Sequence, residues 1–257
     1  MRWLFAAAIV LAMSEAGSAF GATCDATVQG RSGSRVLPVV ELYTSEGCDS
    51  CPPADRWFSS LSMEKHGVVP LAFHVDYWDY IGWKDKFARA DFAARQRDVV
   101  RRRGGRTVYT PQVMLNGQDL RATSNASLET AARASSARVA TVELGLEAKV
   151  GNGRLEVDLR AASLQGTIPP TAKLFLAVTE SNLSSRVTAG ENKGATLRHD
   201  HVVREFIGPL VVPALPLRRG VALKPDWNRD QLTLVAFVED TATGEVLQAL
   251  HLPLCRS

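Results

Sequence analysis

The sequence predicts an α/β domain followed by an all-β antiparallel sandwich, and three observations carry that prediction. Residues 36–75 read as strand, helix, strand; two cysteines, Cys48 and Cys51, stand at the first strand-to-helix seam; and from about residue 140 the pattern changes to short alternating runs separated by turns. The 257 residues are 46% hydrophobic and 22% charged, a globular composition with length enough for one large domain or two smaller ones. The net charge of +3 excludes little. The basic run Arg101-Arg102-Arg103, with Arg106 following, lacks aromatic interleaving, so it reads as a solvated helix end rather than a nucleic-acid surface.

In chain order, Met1-Arg2, the apolar stretch Trp3 to Met13 and the small residues Gly17-Ser18-Ala19 read as a secretory signal peptide over residues 1–19. Export to a periplasmic or extracellular setting is therefore expected, with a first domain over 20–139 and a second over 140–257. Gly21-Ala22-Thr23 before Cys24 is a poor lipoprotein processing site. In the first domain, residues 36–44 read as a buried strand and Pro53 to Lys65 as a helix stopped by Gly67. Residues 68–75 read as a second, parallel strand. An aromatic insert, Tyr77 to Trp83, precedes a charged helix over 84–103 ended by Gly104-Gly105. Residues 108–115 return to strand, Asn116-Gly117 makes a two-residue hairpin, and Ser124 to Ala137 closes the domain as a helix. Beyond it, strands are expected at 141–149, 154–161, 173–179, 232–239 and 246–252.

Oxidising compartments let disulfides persist, and four cysteines permit three pairings. The economical assignment joins Cys24 to Cys255 as a structural bridge and leaves Cys48 and Cys51 as a local, chemical pair. A helix beginning near Cys51 points unpaired N–H groups and its positive dipole end at Cys48, which favours the thiolate, the species that attacks disulfides. Asp49 beside Cys48 opposes that effect.

Strand, dithiol at a helix start, strand, helix, and then Thr110-Pro111 before the Asn116-Gly117 hairpin resemble the thioredoxin fold. A closer resemblance is to an uncharacterised family of secreted proteobacterial proteins, carried by Glu41-Leu42-Tyr43-Thr44-Ser45-Glu46-Gly47-Cys48-Asp49-Ser50-Cys51-Pro52-Pro53-Ala54-Asp55, by His74 to Tyr80, by Tyr109-Thr110-Pro111-Gln112 and by Leu197 to Val202. The resemblance implies a thioredoxin-like domain followed by an immunoglobulin-like sandwich, with thiol-disulfide exchange on other proteins. It implies that Cys48 attacks and is the more exposed cysteine, that Cys51 resolves, that Pro111 is cis with Thr110 offering a strand edge, and that Glu41 is the buried acid shuttling a proton for Cys51. It needs no cofactor. Its partners are a protein substrate and a protein that resets the dithiol.

Other readings stay open. Although the strand-to-helix seam is where reactive pairs sit, export also allows the cysteines a static structural disulfide in a scaffold or binding protein. They could also join His74 and Asp76 in a copper or zinc metallochaperone, although His74 lies in an apolar strand and reads more simply as a core histidine. His199 and His201 share a face if their segment is a strand, but two ligands are too few for a metal site. Tyr77, Trp78, Trp83 and Tyr109 form either a peptide-binding wall beside the dithiol or ordinary packing.

Overall fold

A computed structural model of the protein describes residues 27–121, 124–212 and 216–255. The expected signal peptide and Cys24 lie outside them. The chain enters on a strand, Thr27–Arg31 (β1), and then forms Val39–Thr44 (β2), two helices at Cys51–Ser59 (α1) and Met63–His66 (α2), and Val69–His74 (β3). The single predicted helix over 53–65 is thus two, because Ser60 and Leu61 close α1 and Ser62 caps α2 by accepting from the Lys65 N–H. Ala90–Arg102 (α3) and Gln112–Leu115 (β4) follow, then Gln118–Asp119 (β5) across the Asn116-Gly117 turn, where both residues have positive φ, and Asn125–Ser136 (α4), capped by Ser124. The second half holds Val142–Gly151 (β6), Arg154–Ser163 (β7), Ala172–Glu180 (β8), Leu183–Arg186 (β9), Thr196–His199 (β10), Val202–Val211 (β11), Leu217–Ala222 (β12), Leu232–Asp240 (β13) and Glu245–Pro253 (β14).

These strands form an eight-stranded sheet in the order β14-β13-β8-β11-β3-β2-β4-β5, a four-stranded sheet β1-β6-β7-β12, and the β9-β10 hairpin. The large sheet crosses the whole molecule. Val202 of β11 lies opposite Ala72 of β3 in parallel register, and the Ala72 N–H donates to the His201 carbonyl at 2.9 Å. This overturns the expected fold class of a thioredoxin-like α/β domain followed by a separate immunoglobulin-like sandwich. Strand, at 43%, outweighs helix at 20%, and residues on both sides of position 140 share one sheet. The physical reason is the edge of β3: all six of its residues are buried, and its outer polar groups need a partner, which β11 supplies.

One face of the large sheet is covered by α1 and α4 over β2 and β4, where Val40, Leu42, Val113 and Leu115 meet Phe58, Leu61 and Leu128. Further along, that sheet packs against the four-stranded sheet through residues such as Leu144, Leu155, Leu176, Leu234 and Ala236. The other face is covered by α3: Phe92 and Val99 pack with Tyr43, Phe73, Phe175 and Phe237, residues drawn from both halves of the chain. Coverage on both faces removes the buried-exposed alternation of β2 and β3 and leaves every residue of both strands buried. Among the described residues no helix is long and apolar enough to cross a membrane.

Candidate active site at the Cys48 and Cys51 disulfide

β2 delivers the chain to a tight loop in which the Cys48 N–H donates to the Ser45 carbonyl at 3.2 Å and the Cys51 N–H to the Cys48 carbonyl at 3.3 Å. That loop brings Cys51 to the first position of α1 with its Cα 5.5 Å from that of Cys48, and the two are joined by a disulfide. Pro52 and Pro53 follow in the first helical turn, where a missing N–H leaves no intrahelical bond unmade. The Ser50 hydroxyl lies 3.4 Å from the Cys48 sulfur.

Both cysteines are 0% exposed. The expectation that Cys48 is the more exposed is therefore corrected, and the cover comes from two directions. From the aromatic insert, Trp78 packs on the loop so closely that a Cβ at Gly47 would stand 3.1 Å from the Trp78 Cβ, which explains the glycine before Cys48. The same indole donates to the Thr110 hydroxyl at 2.7 Å, next to a Thr110-Pro111 bond that is cis. From the second half of the chain, the connection between β9 and β10 lies over the loop. Asn192 donates its amide to the carbonyls of Glu46 and Cys48, both at 2.9 Å, and the Asp49 N–H donates to the Glu191 carboxylate at 3.1 Å.

Asn192→Ala removes two of these bonds at once. Each is worth roughly 0.5–1.5 kcal/mol, so local opening becomes easier by about 1–3 kcal/mol. Reduction of the disulfide by a small dithiol, followed by thiol alkylation and mass spectrometry, should accelerate by about tenfold or more; an unchanged rate would mean that this connection does not control access.

Behind the disulfide lies a buried polar cluster assembled from distant segments. Asp55, one helical turn after Cys51 in α1, accepts from the Thr44 hydroxyl at 2.7 Å. Burial pushes its pKa up, against the pull of His199 and His74. His74 Nδ1 lies 2.6 Å from the Asp85 carboxylate. Burial alone would lower the His74 pKa, but the charge and hydrogen bond of Asp85 carry it above the ordinary value. Burial likewise acts to raise the Asp85 pKa, and His74 with the N–H groups of Glu46 and Phe87 outweighs it and holds the carboxyl below its usual range. His199 Nε2 stands 3.2 Å from Glu46, which also accepts from the Trp83 indole at 2.8 Å. Asp55, His74 and His199 line one small cavity of about 10 Å³, too small for a substrate, and His74 Nε2 has no partner among the described residues.

Several residues singled out in the sequence sit elsewhere. Glu41 is on the sheet face away from α1, because its neighbours Val40 and Leu42 point to that helix and strand side chains alternate. Its carboxylate pairs with Arg95 at 2.6 Å and accepts from the Tyr43 hydroxyl, whereas Asp55 lies four residues after Cys51 in α1 and accepts from Thr44. Tyr77 turns toward α3 and bonds Gln96, which is packing, while Trp78 and Trp83 do close on the dithiol loop. His199 and His201 diverge: β10 ends at His199, His201 has φ +59°, and its Nε2 donates to the Leu61 carbonyl. Asp76 lies outside the cluster. Among the described residues no three His, Cys, Asp or Glu side chains are grouped to hold a metal ion. Cys255 is disulfide-bonded, and the partner expected for it, Cys24, lies outside the described residues.

Sequence reasoning missed Glu46, Asp55, Asp85, Glu191 and Asn192. Only Asp55 carried a usable signal, its four-residue spacing from Cys51 on a predicted helix.

A family model described as a protein of unknown function, DUF1223, matches residues 39–239. A crystal structure of an Agrobacterium tumefaciens protein is similar at 24% identity and a TM-score of 0.64, covering 88% of this chain and 97% of that one. The structure of HBP35 of Porphyromonas gingivalis is similar at 14% identity and a TM-score of 0.68, covering 86% of this chain and 76% of that one. At these identities the likeness is one of fold. No curated protein matches the sequence significantly.

Proposed function

The chain belongs to the DUF1223 family of proteins of unknown function, and from its site we propose that it is an exported thiol-disulfide oxidoreductase acting on proteins through Cys48 and Cys51. The observation that carries this reading is the placement of the disulfide across a strand-to-helix seam, with Cys51 opening α1 and a buried acid, Asp55, one turn behind it. In the reducing direction, the Cys48 thiolate attacks one sulfur of a substrate disulfide, forms a mixed disulfide and releases the other substrate sulfur as a thiolate. Cys51 gives up its proton to Asp55, and its thiolate attacks the Cys48 sulfur. That step re-forms the Cys48–Cys51 disulfide, releases the second substrate thiolate, and leaves the substrate reduced by the two electrons the pair has lost. A carboxyl whose pKa is raised by burial is the better matched to take and return that proton. Running the steps backwards oxidises a client dithiol.

Access to Cys48 requires the β9–β10 connection and Trp78 to move aside, and a separate thiol-disulfide partner resets the pair. Export, read from the leader-like residues 1–19, belongs to the same proposal. A second reading, a scaffold stabilised by a permanent disulfide, draws on one observation: both cysteines are 0% exposed.

The test is the reduction potential of the Cys48 and Cys51 pair in the mature protein, by thiol trapping and mass spectrometry across graded redox buffers. A reversible midpoint between about −120 and −270 mV is expected, the range of working oxidoreductases, whereas a value below about −300 mV would make the bridge structural.

A further inference from the structure

A cavity of about 860 Å³ opens between the end of α3, the loop that follows it and the β4–β5 hairpin. That size lies within the range of ligand sites. Its wall includes Tyr109, the residue directly before Thr110-Pro111, so the cavity adjoins the segment that Trp78 ties to the dithiol loop. Its charged lining is three arginines, Arg103, Arg106 and Arg121, and one aspartate, Asp119.

The aspartate is already engaged. Tyr109 donates its hydroxyl to both Asp119 oxygens, at 2.9 and 3.0 Å, and Gln112 donates its amide at 3.2 Å. Burial, and then Asp119, push the Tyr109 phenol up to about 12, so it stays a neutral donor throughout the physiological range. Of the arginines, Arg103 is held by the carbonyls of Asn116 and Gly244. Arg106 and Arg121 are exposed and have no ion pair among the described residues. The basic run that read as a solvated helix end therefore divides by position: Arg101 pairs with Asp98 in the helix, Arg102 reaches the buried Glu239, Arg103 braces the hairpin, and Arg106 faces the cavity.

We propose that this cavity binds an acidic, extended segment of the client polypeptide and so selects clients for the dithiol. The proposal rests on the exchange reading above. Two observations identify the occupant. Unpaired guanidinium groups recognise carboxylates, through paired N–H donors that lysine could not present. β5 is the terminal strand of the large sheet, so among the described residues its outer edge has no strand partner and suits pairing with an extended chain. A client lying along β5 places acidic side chains among Arg103, Arg106 and Arg121 while its chain runs toward Thr110.

The test separates binding from exchange. A fluorescent, cysteine-free peptide rich in Glu and Asp, and its Gln and Asn counterpart, are titrated by anisotropy into the oxidised mature protein. The acidic peptide should bind at least about tenfold more tightly, and the preference should shrink as salt is raised. The double variant R106E/R121E, both exposed positions, should abolish it. Equal binding of the two peptides, or a preference that survives charge reversal, overturns the proposal. So does competition by free succinate as effective, mole for mole, as the unlabelled peptide, because that marks a small-anion site. A parallel assay with a disulfide-closed version of each peptide reports exchange. Selective binding without exchange would sink the oxidoreductase reading and leave the site, whereas exchange of both peptides at one rate with no selective binding would do the reverse.

Discussion

Cys48→Ser should lower the rate of exchange with a disulfide-closed peptide by about a thousandfold or more, because serine supplies no thiolate at neutral pH and the thiol that remains, Cys51, is buried at the first position of α1. Cys51→Ser is expected to behave differently. It retains the attacking sulfur and loses the resolving one, so it should accumulate a mixed disulfide between Cys48 and the peptide, seen as an added mass that a reductant removes. Loss of the bridge itself is a modest perturbation, since a loop this short contributes only about 2 kcal/mol in the chain-entropy picture. Circular dichroism and the thermal midpoint of both variants separate a chemical effect from a folding one. Exchange that persists in Cys48→Ser, or a Cys51→Ser protein that traps nothing, would remove the pair from any catalytic role.

Arg95→Met should destabilise the protein by about 3–5 kcal/mol, the usual cost of removing one member of a buried ionic group. Arg95 is 7% exposed and lies between two carboxylates, meeting Glu41 at 2.6 Å and Glu239 at 3.0 Å. Burial acts to lower its pKa, but Glu41 and Glu239 hold it well above the ordinary arginine value, so it stays charged. Its guanidinium also sits 4.9 Å from the Phe175 ring, 5.1 Å from Phe206 and 5.3 Å from Phe237. Methionine fills much of the volume and leaves Glu41 buried without its cation. Adding Glu41→Gln should return part of the loss, because the remaining Glu239 still has Arg102. Urea unfolding gives both differences through the shift in midpoint at constant slope. A loss under about 1 kcal/mol for Arg95→Met would mean that the cluster relaxes and hydrates. Because Glu41 lies in the first half of the chain and Glu239 in the second, the same substitution tests whether the two halves unfold as one unit.

What was legible in the sequence was local. Asn116-Gly117 could be read as a hairpin because positive φ at two successive positions suits those residues, and the helix from Ser124 could be read because its start is local: the Ser124 hydroxyl accepts from the Ser127 N–H within one turn. Cys48 and Cys51 could be read as a pair at a helix start because three residues span the distance a disulfide needs. Less could be read of β11, whose Gly208-Pro209 interrupts the strand pattern, or of β9 and β10, which are four residues each. The sheet face that Glu41 takes could not be read from its segment alone, because in a strand a shift of one residue exchanges the two faces.

The sequence by itself determined the dithiol, its place at the start of α1, and most of the helices and turns, since each depends on residues within a few positions of one another. Only the tertiary structure decided that β11 joins β3 and makes one sheet of two expected domains. It alone set Asn192 over Cys48, drew His74, Asp85, His199 and Glu46 into one cluster, and gathered three arginines around a cavity beside Tyr109. Those contacts join segments up to 153 residues apart. Their stability comes from completing a sheet edge and excluding water, quantities that belong to the assembled surfaces and have no counterpart in a short window of chain.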